Sequence, residues 1–155
     1  VLPTLRLSPK NQVTIPADGR ALVTEGEAVL CGRTHAMARE GTDEVYPVVM
    51  LMSRAELRRR ETAIRQDPSL TPVQREALAM KLRATVEELH VDGQNRVVLP
   101  QAFVAHLQLD REVFFVVMND SIRVWNPAHF LAWSGPVRTQ AGVAYDPALD
   151  SYLFA

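Results

Sequence analysis

Hydrophobic and polar positions fall in short blocks along the chain, and two of the blocks match. Val13-Thr-Ile15 and Arg96-Val-Val-Leu99 are β-branched or aliphatic runs, each preceded by a polar turn and closed by a proline. Runs of that kind read as strands, and the proline ends the strand and can open a helix. Sliding Pro16 onto Pro100, a shift of 84 residues, lays Asn11 on Asn95, Val13 on Val97, Ile15 on Leu99 and Ala21 on Ala105. A pattern that recurs at a fixed spacing marks one supersecondary unit used twice.

The same reading predicts the elements around the two copies. Residues 2–7 form a first strand, ended by Ser8-Pro9, because proline blocks strand pairing. Residues 17–23 form a short helix that Gly19 weakens by up to ~1 kcal/mol. Residues 28–31 are a third strand, residues 32–44 a polar hairpin loop around Gly41, and Val45–Met52 a further strand carrying Pro47. Ser53-x-x-Glu56 and Thr71-Pro-Val-Gln74 are capping boxes, each opening a helix. The first helix ends at Asp67-Pro68. The second carries Val73, Ala77, Leu78, Leu82 and Val86 at helical spacing to about Glu88. An αα-hairpin therefore joins the two copies. Beyond it come a strand at residues 89–91, the turn at Asp92-Gly93, a strand at residues 96–99 and a helix over Gln101–Leu107. A hairpin of residues 113–118 with Ile122–Trp125 follows, and Asn126-Pro127 caps a last helix at residues 128–133. From Ser134 onward no period is visible, which predicts a tail that is mobile unless a neighbour holds it. The fold class is α+β: two tandem pseudo-symmetric units, residues 1–52 and 89–133, with a helical linker at 53–88 and a tail at 134–155.

Composition narrows the function. A chain of 155 residues with 47% hydrophobic content makes about one domain with a real core. The net charge of −1 excludes a uniformly basic nucleic-acid coat, so any polyanion site comes from local clustering or from several copies acting together. Cys31 is the single cysteine, which rules out an internal disulfide and fits a reducing cytosol. No apolar run approaches the ~20 residues that span a bilayer, and the N-terminus lacks a secretory pattern. The expectation is a cytoplasmic protein with no membrane partner.

Candidate chemistry sits in the two turns. Lys10, Asn11 and Gln12 occupy one and Gln94, Asn95 and Arg96 the other, with Arg6 on the strand before the first. Arginine can grip a guanine edge by two parallel hydrogen bonds, asparagine or glutamine an adenine edge, and lysine a phosphate. His35, His90, His106 and His129 are scattered, and no nucleophile elbow, phosphate loop or paired metal ligands occur. The chain therefore reads as a non-enzyme with no cofactor and no metal. Arg58, Arg59 and Arg60 read as a solvated helix face paired with Glu56 and Glu61. The alternative is that the arginine-rich helix at 54–65 holds a protein partner. The tryptophans and phenylalanines read as core or subunit interface.

Lys10-Asn-Gln-Val-Thr-Ile-Pro16 resembles the opening of the AbrB/SpoVT family of DNA-binding modules. Its double occurrence resembles more closely the MraZ family, in which both units lie on one chain. Asp92-Gly-Gln-Asn-Arg-Val-Val-Leu-Pro100 is similar to that family's Asp-x-x-Gly-Arg-type signature. Val45-Tyr46-Pro47, Val124-Trp125-Asn126-Pro127 and Ser69-Leu-Thr-Pro72 sit where the family has its Tyr-Pro, Trp-x-Pro and linker stretches. The resemblance spans roughly residues 5–133. It implies two interlocked swapped-hairpin units and a bacterial, nucleoid-associated transcriptional regulator of the division and cell-wall gene cluster. It further implies a homo-oligomeric ring that binds direct repeats of double-stranded DNA through Lys10, Asn11, Gln12, Asn95 and Arg96, beside which Arg6 and Gln94 stand as further candidate contacts. Asn11 and Gln12 replace the glycine and arginine usual in the first turn, and Asn95 replaces the glycine of the second. The rival reading is an AbrB-like antitoxin or protein-interaction oligomer with little DNA binding.

Overall fold

The computed structural model describes residues 2–25, 27–135 and 138–153. In chain order the first half holds β1 (Leu5–Arg6), β2 (Gln12–Thr14), a 3-10 turn (Ala17–Gly19) running into α1 (Arg20–Glu25), β3 (Val29–Ala38) and β4 (Val45–Met52). The linker holds α2 (Arg54–Arg65) and α3 (Pro72–Thr85). The second half holds β5 (Glu87–His90), β6 (Arg96–Val98), α4 (Gln101–Leu107), β7 (Glu112–Val117), β8 (Ile122–Trp125) and α5 (Pro127–Ser134). The chain continues through β9 (Arg138–Gln140), β10 (Val143–Tyr145) and α6 (Pro147–Leu153).

The two halves are interleaved. One six-stranded antiparallel sheet runs β1-β7-β8-β4-β3-β5, and β2 pairs with β6 in a separate ribbon. β1 lies on β7, β3 on β5, β4 on β8 and β2 on β6, so each of these pairings joins the first half to the second. In the ribbon Gln12 faces Val98, Val13 faces Val97 and Thr14 faces Arg96. The two ends of that register map onto each other under the 84-residue shift, which places Val13 and Val97 at a pseudo-twofold centre. Strand alternation sends Val13, Ile15, Val97 and Leu99 inward, where they are buried with Leu30, Leu51, Leu107 and Val124.

A second repeat lies at a different spacing. β4 leads into α2 through the N-cap Ser53, and β8 leads into α5 through the N-cap Asn126. Ser53 Oγ accepts from the Glu56 N–H at 3.0 Å and Asn126 Oδ1 from the Ala128 N–H at 2.9 Å. Four residues after each cap, Leu57 and Phe130 pack on the outer face of the sheet, over Cys31 with Met52 and over Phe114 with Trp125. The caps are 73 residues apart because the β3–β4 hairpin is longer than the β7–β8 hairpin.

Several expectations need correction. β3 runs ten residues to Ala38, so the expected loop shrinks to the stretch before Val45. Its backbone pairs continuously with β4, from Cys31↔Met52 to Ala38↔Val45, and that pairing overrides the polar composition. The first strand pairs only at Leu5 and Arg6. The box at Ser53 is half formed, because Arg59 (2.7 Å) and Arg60 (3.0 Å) take the Glu56 carboxylate. The box at Thr71 is complete in both directions. α3 stops at Thr85, since Val86 turns extended to feed β5 onto β3. The tail at 134–155, expected to be mobile unless a neighbour holds it, carries the β9–β10 hairpin and α6 over its described residues. Ala141 and Gly142, at φ 52° and 74°, supply the two left-handed positions that a tight hairpin turn requires. Residues 136, 137, 154 and 155 of that tail lie outside the described residues.

Gly32 shows how tightly the halves interlock. A Cβ there would stand 2.7 Å from the Phe103 ring and 3.1 Å from Leu51. Gly32→Ala is expected to lower stability by about 1–3 kcal/mol through overpacking. Urea denaturation checks it, and Phe103→Leu in the same chain should return part of the loss.

Candidate nucleic-acid interface

The two turns have the same hydrogen-bond ladder. In the first, Ser8 Oγ accepts from the N–H of Lys10 (3.2 Å) and of Gln12 (3.0 Å), and the Ser8 carbonyl accepts from Asn11 (2.9 Å). In the second, Asp92 Oδ1 accepts from the N–H of Gln94 and of Arg96, both at 2.9 Å, and the Asp92 carbonyl accepts from Asn95 at 3.0 Å. Asn11 and Asn95 sit at φ 61° and 59°, a left-handed backbone that asparagine tolerates better than most residues. Each turn is tied to the other half. The Ile15 N–H donates to the Asn95 carbonyl (2.7 Å), and the Leu99 N–H donates to the Asn11 carbonyl (2.9 Å).

These bonds decide what each side chain is free to do. The antiparallel ribbon puts the turns at its opposite ends, with Gln12, Thr14, Arg96 and Val98 on the outward face between them. Arg6, Ser8, Gln12, Thr14 and Arg96 border one shallow depression of about 400 Å³. Of the seven residues singled out from the sequence, Arg6, Gln12 and Arg96 are thus gathered. Lys10 and Gln94 are exposed at the two tips. Asn11 and Asn95 hold the backbone, and Asn11 Nδ2 donates to Gln101 Oε1 at 3.2 Å.

Two residues were missed. Thr14 faces outward between the buried Val13 and Ile15, a position that strand alternation could have marked. Arg111 donates to the Ser8 carbonyl at 3.5 Å and borders, with Arg6, a second depression of about 560 Å³. No local pattern points to Arg111, because strand pairing alone brings it to the first turn.

Asp92 controls the second turn. The Arg96 N–H foremost, then the Gln94 N–H and the Arg96 guanidinium, hold its carboxyl below the usual carboxylate range, against desolvation. Arg96 Nε lies 2.9 Å from Asp92 Oδ2. A carboxyl lowered in the fold supports the turn fully above its unfolded pKa, and that support is lost as pH falls through the folded value. Asp92→Ser, which copies Ser8, removes the titrating group and keeps an acceptor. The stability difference between the two proteins should hold above about pH 5 and narrow as pH falls below about 4, the unfolded carboxyl value. Urea unfolding across that range checks it.

Arg54, Arg59, Arg60, Arg65 and Arg83 of the helical linker are engaged within the chain, while Arg58 is exposed. Arg54 pairs with Glu88 and Glu27, Arg60 with Glu56 and Asp120, and Arg65 with Glu61 and Glu76. Arg83 of α3 reaches back to Glu61. Cys31 is a buried thiol whose pKa is pushed up, first by burial and then by Glu88. Among the described residues no three His, Cys, Asp or Glu side chains are placed to hold a metal ion, and no helix is long and apolar enough to cross a membrane.

Interleaved units that present matched polar turns define a tandem-repeat α+β protein. A family model described as "MraZ protein, putative antitoxin-like" matches residues 82–135. The transcriptional regulator MraZ of Azorhizobium caulinodans is 31% identical over 129 residues, covering 83% of this chain and 77% of that one. Its namesake in Corynebacterium efficiens is 27% identical over 150 residues, 97% of this chain and 96% of that one. The chain belongs to the MraZ family, and with these relatives it stands among transcriptional regulators rather than enzymes.

Proposed function

We propose that the chain is a sequence-specific DNA-binding regulator. It acts as a homo-oligomeric ring on direct repeats in the promoter of the division and cell-wall gene cluster, in the nucleoid-associated cytoplasm. The observation that carries the reading is the outward ribbon face, where Arg6, Gln12, Thr14 and Arg96 converge between two turns with the same hydrogen-bond pattern. A B-DNA major groove, about 12 Å wide, admits a two-stranded ribbon. Arg96 suits guanine and Gln12 suits adenine, while Lys10, Arg6 and Arg111 suit phosphates. The exchange of β1, β2 and β3 with β7, β6 and β5 supports an AbrB-type swapped-hairpin barrel built from one chain. On this reading the segments 1–52, 53–88, 89–133 and 134–155 are units of the repeat, its linker and its tail, not separately folding bodies.

One copy neutralises few phosphates, so it binds weakly. A ring that sets several copies on repeated boxes raises the effective concentration of each further contact. That is how a chain of net charge −1 can hold DNA. The test is retention of DNA taken from directly upstream of the chain's own gene, followed at several salt concentrations. Lys10→Ala should reduce the salt slope by about one for each engaged copy and weaken all sequences alike. Failure of the wild-type chain to retain that DNA better than an unrelated fragment overturns the proposal.

A second reading, an antitoxin or protein-interaction oligomer, draws on Gln12 standing where the family pattern has arginine. Recovery of one stoichiometric partner protein, with no DNA retained, would favour it.

A further inference from the structure

Two surfaces of the chain are uncovered, and their chemistry is complementary. On the outer face of the six-stranded sheet, α2 and α3 cover Cys31 and Met52 while α5 covers Phe114 and Trp125. Between these helices lies a trough. Strand register sets its floor as the row Arg33–Met50–Arg123–Val116. A cavity of about 140 Å³ opens beside Arg33, His35, Met50 and Arg60, and another of about 150 Å³ beside Met37, Val116, Arg123 and Trp133. Arg33 donates to the Thr85 hydroxyl and the Thr34 carbonyl, and Arg123 to the Ser121 hydroxyl. Among the described residues neither has a carboxylate partner. Burial, then the Arg123 and Arg33 charges, push the His35 pKa down, as a cationic trough requires.

The other surface is α6. Leu149, Tyr152 and Leu153 follow i, i+3, i+4 spacing and are 55%, 89% and 63% exposed. Asp146 and Asp150, one turn apart, flank that apolar stripe, and the helix carries no basic residue. Its first residues border a depression shared with Trp133 and Arg39, so α6 begins at the trough's rim.

We propose that α6 of one copy lies in the trough of the next. Leu149, Tyr152 and Leu153 pack on Met50, Val116 and the aromatic wall, and Asp146 and Asp150 answer Arg123 and Arg33. Among the described residues of one chain both the helix and the trough are formed and both stay open, so the contact is made between copies. It uses a different surface on each partner, and head-to-tail contacts of that kind propagate and close as rings when the rotation allows. The inference deepens the homo-oligomer part of the proposed function and rests on it.

The experiment is light scattering coupled to size exclusion on the full chain. The wild type should run as an oligomer. Arg123→Glu should lose that mass, and so should Asp150→Arg combined with Leu153→Ser. The α6 changes touch only exposed or half-exposed side chains outside the core, and circular dichroism should show an unaltered fold. Mixing the two variants leaves one intact contact per pair and should give a dimer. A monomeric wild type, either variant at full mass, or a mixture that stays monomeric overturns the inference. DNA retention by the turn variants reads the other face, so loss of DNA binding at full mass condemns the turns and not the trough.

Discussion

Arg96→Ala is expected to weaken operator binding by about 1–3 kcal/mol for each engaged turn, with most of the loss at one base position. Arg96 is the basic side chain that both faces out of the ribbon and is aimed by a fixed neighbour. Asp92 holds its Nε at 2.9 Å while both groups remain well exposed, at 41% and 37%. Exposed ion pairs are worth little, so exchanging Asp92 for a guanine edge costs little and keeps the aim. The twofold-related position in the first turn is Gln12, which borders the same depression. Gln12→Arg should therefore tighten binding, with a steeper salt dependence, while Arg96→Ala changes the preferred sequence as well as the affinity. Gel-shift titration against the operator and single-base variants, at fixed salt, separates the two effects. Equal affinity of Arg96→Ala and wild type for the operator removes Arg96 from the interface.

The repeat at Pro16 and Pro100 was legible because each copy keeps its own turn, strand and proline in a run of nine residues. Local chemistry of that kind survives in sequence: the Thr71 box, the Asn126 cap and the left-handed Asn95 were all readable from side-chain type. Non-local features were not readable. The length of β3 is fixed by β4 alongside it, so polar Thr34 and His35 join a strand that composition assigned to a loop. The Ser53–Asn126 repeat was hidden by the unequal hairpins, which break the constant shift. In the candidate site the turns were visible, but their grouping was not. Arg6 and Arg96 meet through the β2–β6 ribbon, and Arg111 through β1 on β7. The trough is farther still from sequence reach, since its floor takes one residue from each of four strands.

Ile15→Ala is expected to cost about 2–5 kcal/mol, the range for truncating a fully buried aliphatic side chain. Ile15 is 0% exposed, in the core that β2 and β6 share with β3, β4, β7 and β8. The consequence specific to this topology concerns where the loss is felt. Trp125 and Trp133 both belong to the second half and pack together with ring centroids 5.0 Å apart. A chain whose halves folded separately would keep its tryptophan signal when the first half was damaged. Here β1, β2 and β3 have strand partners in the second half, so the first half cannot unfold without stripping β5, β6 and β7. Tryptophan fluorescence and far-ultraviolet circular dichroism should shift together by the same amount, as a two-state transition requires. A fluorescence midpoint that stays at the wild-type value while circular dichroism moves would mean that the two units fold independently.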